Sequence, residues 1–150
     1  MLLTGQHTVN ASAKQIWDMM MDPDALARIT PAITSLERID EDNFKAIADV
    51  KIGPVGGRFM GNLKVSERVE PESFNLTIQQ NSKIGNANAV MAMTFKPLSP
   101  TQTEVSFAGD VKLSGTLAIM GGRVVTPVAN MLSEQFFKEL EKEIAGQKAD

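Results

Sequence analysis

The sequence predicts one α+β domain in which a curved antiparallel sheet of seven strands wraps a long C-terminal helix. Three observations carry that expectation. Between residues 33 and 113, apolar and polar residues alternate with period two, the signature of strands with one buried and one wet face. Only short, turn-like joints separate these segments, so neighbouring strands run antiparallel. From Leu117 onward the apolar spacing lengthens to three and four, the period of a helix with one apolar stripe.

Residues 2–10 form the first expected strand. Ser12 and Gln15 have the spacing of a capping box, which opens a short helix with Ile16, Trp17, Met19, Met20 and Met21 on one side. Asp22-Pro23 starts a second short helix, Asp as N-cap and Pro at the first helical position; Pro31 ends it. Six strands follow, beginning near Ile33, Phe44, Gly57, Phe74, Ala87 and Val105, with joints such as Asp40-Glu41-Asp42-Asn43 and Glu70-Pro71-Glu72-Ser73. The last helix is expected over residues 115–145, about 45 Å at 1.5 Å per residue. Pro127 inside it predicts a kink or a restart capped by Thr126, because proline removes one backbone hydrogen bond and crowds the carbonyl of Arg123. Residues 1–150 read as a single domain with a frayed tail over 146–150.

Composition narrows the function. A net charge of −3 with scattered basic residues gives no cationic cluster to displace counterions from phosphates, so no nucleic-acid partner is expected. The sequence has no cysteine, which excludes disulfides, thiolate catalysis and thiolate metal sites. The N-terminus lacks the cationic and apolar segments of a signal peptide, and no run reaches the ~18 apolar residues of a membrane span. A cytoplasmic setting is expected.

The apolar register of the strands carries unusually small residues: Ala46, Ala48, Gly57, Gly61, Ala87, Ala89 and Gly109. A close-packed core of this sheet area would place Leu, Ile or Phe at most of them. With one helix to fill the concavity, small residues predict an apolar cavity. The expected strand lining is Phe59, Leu63, Phe74 and Leu76, then Met91, Met93 and Phe95, then Phe107; the helix is expected to add Met120, Val124 and Met131. The nine methionines of the chain suit a wall that adapts to varied apolar shapes.

Catalytic chemistry is thin by comparison. His7 is the single histidine and reads as a surface or edge residue of the first strand. One histidine and no cysteine make a transition-metal site improbable, and no resident cofactor or metal is expected. The glycines of KIGPVGGRFMG (51–61) lead into a strand with no Lys-Ser or Lys-Thr after them, so they fit a hairpin rather than a phosphate loop. No catalytic residue is assigned.

The stretch DPDALARITPAITSLERIDEDNFKAIADVKIGPVGGRFMGNLKV (22–65), with LSEQFF (132–137) in the late helix, resembles the carbon monoxide dehydrogenase CoxG family of the START-like, or Bet v 1-like, superfamily. The resemblance covers nearly the whole chain. It implies a helix-grip fold over a hydrophobic pocket and a non-catalytic accessory role. That role involves a lipid or quinone-like molecule, a molybdenum hydroxylase partner such as carbon monoxide dehydrogenase, and peripheral contact with the inner face of the membrane. Two alternatives stand beside it: a START-like enzyme of the polyketide cyclase or aromatase type, and a pure interaction module with a closed core.

Overall fold

The computed structural model describes residues 1–149. The chain runs β1 (Leu2–Val9), α1 (Ala13–Met20), α2 (Pro23–Ile29), β2 (Ile33–Arg38), β3 (Asn43–Ile52), β4 (Val55–Val69), β5 (Ser73–Ser82), β6 (Gly85–Ser99), β7 (Gln102–Leu113) and α3 (Gly115–Ala149). All seven strands join one antiparallel sheet in the order β1-β7-β6-β5-β4-β3-β2. Turn-linked strands β2 to β7 lie side by side because their joints are too short for anything else. The two helices between β1 and β2 carry the chain across to the opposite edge, so β1 pairs with β7 in place of β2. The α+β fold expected from the sequence, a curved sheet gripping a long helix, is thus the fold the chain adopts.

Local chemistry explains the helix starts. The Ser12 hydroxyl accepts from the Gln15 amide at 3.2 Å and the Gln15 side chain accepts from the Ser12 amide at 2.9 Å, closing the capping box. Such a cap contributes about 1 kcal/mol. α1 then buries Ile16, Trp17, Met19 and Met20. Asp22 caps α2 through the Asp24 amide at 3.0 Å, with Pro23 at its first position. Thr103, fully buried at the start of β7, donates its hydroxyl to the Ala11 carbonyl at 2.9 Å and fixes the β1–α1 corner.

The helix α3 departs from expectation. Its break is at Gly121, whose φ of 65° and ψ of −169° are not helical, and not at Pro127. Pro127 lies within the helix, and the Thr126 hydroxyl bonds the Met1 sulfur at 3.8 Å instead of capping a restart. A proline needs only the loss of one hydrogen bond, which a packed helix tolerates; the Gly121 conformation is open to glycine alone and interrupts the ladder outright. The helix also continues past residue 145 to Ala149, and Asp150, the end of the expected frayed tail, lies outside the described residues.

Two apolar clusters flank the concave face. The larger joins α1, α2, the β1-side strands and the second half of α3, through Ile16, Trp17, Phe95, Val105, Phe137, Leu140 and Ile144 among others. The smaller gathers Val50, Val55, Phe59 and Leu117 around the first turns of α3.

Candidate ligand-binding cavity

Between these clusters the sheet and α3 do not close. A cavity of about 930 Å³ lies between them, with a predominantly apolar wall. Four inward strand positions show why. Ala46, Ala48, Ala87 and Ala89 all line it, and each leaves space where a large side chain would meet the helix. The glycines expected beside them serve a different end. A Cβ on Gly61 would run into the Gln79 carbonyl and one on Gly109 into the Val90 carbonyl, so both permit close backbone approach as the sheet bends. Gly57 is exposed and lies outside the lining.

Seven of the residues expected at the wall are there: Phe59 and Leu63 on β4, Phe74 and Leu76 on β5, Met91 and Met93 on β6, and Phe107 on β7. Four are elsewhere. Phe95 is buried behind the wall, packed edge-on to Trp17 at 6.1 Å and stacked on Phe74 at 5.9 Å. Met120 and Val124 pack against the smaller cluster. Met131 is 52% exposed on the outer side of α3. The face that meets the cavity carries Val125, Val128, Ala129, Leu132 and Phe136. That face lies one residue on from the stripe expected at Val124 and Met131. The break at Gly121 separates the phase of Met120 from that of the turns after it.

Trp17, Met20 and Met21 from α1 and its C-cap, and Leu26 from α2, also line the cavity. Sequence reading placed them on the apolar side of their helices without seeing that α1 and α2 cover the cavity. At the same end, around the β2–β3 and β4–β5 turns, sit its ionisable lining residues Arg38, Glu41, Arg68 and Glu70. Their polar atoms are occupied. Arg38 donates to the Asp40 carbonyl at 3.2 Å with its guanidinium 5.9 Å above the Phe44 ring; Arg68 pairs with Asp42 and donates to the Glu41 carbonyl; Glu70 accepts from Lys14 at 3.0 Å.

Deeper in the wall the polar side chains are few. The Ser133 hydroxyl donates to the Ala129 carbonyl at 2.9 Å within α3. Gln80 stands alone. It lines the cavity, and its amide nitrogen is sealed from solvent with no acceptor in reach. The signal was present in the sequence: Phe74, Leu76, Ile78 and Gln80 share the inward register of β5, and the fourth breaks the apolar pattern.

His7 is not at the surface as expected. Residues Leu3, Gly5, His7 and Val9 of β1 turn inward, and the imidazole stacks on the Phe137 ring of α3 at 4.4 Å. Burial lowers its pKa from 6.5, opposed by the weaker attraction of Glu134. It is outside the cavity lining. Among the described residues there is no cluster of three or more His, Cys, Asp or Glu side chains placed to hold a metal, and no helix is long and apolar enough to cross a membrane.

Comparison with known proteins places this geometry. The family model of the carbon monoxide dehydrogenase component CoxG matches residues 5–145. No curated protein matches the chain. Among solved structures, a conserved protein from Geobacillus kaustophilus superposes with a TM-score of 0.93 at 27% identity, covering 97% of this chain and 96% of its own. A START superfamily protein from Mycobacterium smegmatis gives 0.72 at 21% identity, with 97% and 98% covered. An aromatase/cyclase from a Streptomyces species gives 0.71 at 12% identity, with 97% and 93% covered. The last two likenesses concern the fold alone.

Proposed function

Because this chain belongs to the carbon monoxide dehydrogenase CoxG family, we propose that it is a non-catalytic carrier that holds a lipid or quinone-like molecule between its sheet and α3. The observation that carries this reading is the cavity itself. Its ~930 Å³ lies at the upper end of the range for small-molecule sites, and its wall is apolar nearly throughout. An isoprenoid or acyl chain entering it gains about 25 cal/mol for each Å² of apolar surface removed from water. A purely interacting module with a closed core has no use for so large an unfilled space.

The family supplies the rest of the proposal: a molybdenum hydroxylase as the protein partner, and peripheral contact with the membrane from which the ligand is taken. Native mass spectrometry of gently purified protein tests the ligand half. Bound lipid or quinone, or saturable uptake of an added prenylated quinone, is expected; an empty protein that also takes up nothing would sink it. Flotation with liposomes and co-purification with a molybdenum hydroxylase test the other half, and a chain that does neither has lost that role.

A further inference from the structure

The Gln80 carboxamide is the one polar group of the deep wall whose donor has nothing to bond. A buried, unpartnered amide N–H costs about 1–3 kcal/mol, so a leucine or methionine in its place would stabilise the empty protein. Its surroundings offer no remedy. Gln80 faces Gly61 on β4 and Ala87 on β6, two residues with no polar side chain, and Ile78 and Leu113 complete that part of the wall. A trapped water would need two to four polar partners and would find few here. The same small neighbours leave room beside the carboxamide, and its terminal torsion is soft, so the Nε2 donor can turn into the cavity.

Resting on the reading of the cavity as a ligand site, we propose that Gln80 is the specificity-determining residue that donates a hydrogen bond to an acceptor oxygen, such as a quinone carbonyl, on an otherwise apolar ligand. The position of Gln80 sets the ligand's orientation. It lies at the β5–β6 end of the cavity, about 20 Å along β5 from Phe74 at 3.3 Å per residue. The ionic side chains sit at the opposite end, already bonded to one another or to backbone. The oxygen-bearing head therefore goes to the β5–β6 end and the hydrocarbon tail extends towards Trp17 and the Arg38–Arg68 end. A ligand without oxygen fills the same volume but leaves the amide orphaned, so the site selects against it.

The test is a competition read by native mass spectrometry between a naphthoquinone carrying a farnesyl tail and the farnesyl-naphthalene hydrocarbon of the same shape. The wild-type chain is expected to prefer the quinone. Gln80→Leu is expected to lower that preference about tenfold, through loss of the quinone alone, with a Tm at or above that of the wild type. Gln80→Met keeps the length of the side chain and serves if the branched variant misfolds. Gln80→Glu, which brings a carboxylate and no donor at neutral pH, is expected to lower quinone uptake at least as far. A Gln80→Leu or Gln80→Met chain that keeps the wild-type preference overturns the assignment, as does a wild type that takes both probes equally, and either leaves the cavity reading intact. A wild type that takes neither probe overturns both.

Discussion

His7 shows how one residue ties the sheet to the helix and to pH. Its ring is held between Phe107 of β7 at 6.2 Å and Phe137 of α3 at 4.4 Å, and burial favours the neutral form. The folded pKa is therefore below 6.5, and in the unfolded chain it returns to that value. Between the two values the unfolded state binds more protons, so stability falls as pH drops below about 6.5 and is complete above it. Urea midpoints at pH 7.5 and 5.5 check this: the wild type is expected to lose stability on acidification, and His7→Phe, which keeps the aromatic stack, to lose less. Equal losses would show that His7 does not titrate with folding. Gln80 belongs to the same scale, as a second polar residue in an inward register, but its donor is left unpaired where the imidazole of His7 is stacked and neutral.

At the scale of elements, α3 is two helical segments joined at Gly121, and two adjacent glycines there have opposite meanings. Gly121 has a φ of 65° with an extended ψ, a region costly to any residue with a Cβ. Gly122 has ordinary backbone, and a Cβ on it would stand 3.6 Å from the Thr126 hydroxyl, a normal contact. Gly121→Ala is expected to destabilise by about 1–3 kcal/mol, and Gly122→Ala to stabilise by about 0.5–1 kcal/mol through the unfolded chain. Denaturant unfolding of the two variants gives the signs directly, and matching signs would mean that Gly121 is not a break in solution. Here the sequence was legible only in part. The two short helices could be read because a capping box and an Asp-Pro start are local chemistry, and the strands because alternation is local too. The break could not, since glycine at 121 and 122 looks alike in sequence and Pro127 is the louder signal. Everything read off the helix beyond it, including Val124 and Met131, inherited the wrong phase.

For the whole molecule, the cavity is the difference between what the sheet encloses and what one helix fills. The strand side of its wall could be read because register fixes which face each residue takes; the cover formed by α1 and α2 could not, because no local pattern says where a helix docks. An apolar space of ~930 Å³ also leaves wall atoms without packing partners, which is a standing cost to the empty protein. Filling it should reverse that cost. Ala89 is inward on β6, lines the cavity and is only half-buried, so a larger side chain there enters open space without displacing a neighbour. Ala89→Leu is expected to stabilise the ligand-free chain by about 1 kcal/mol, less than the full transfer value of the added carbons because a hydrated wall is already partly relaxed. The same substitution removes volume from the site, so uptake of the farnesyl-bearing quinone should weaken while the fold gains. The two readouts, Tm without ligand and uptake with it, are expected to move in opposite directions. That opposition follows only if the space is kept for an occupant, and a variant that lost both stability and uptake would show that Ala89 supports the sheet instead of bordering a site.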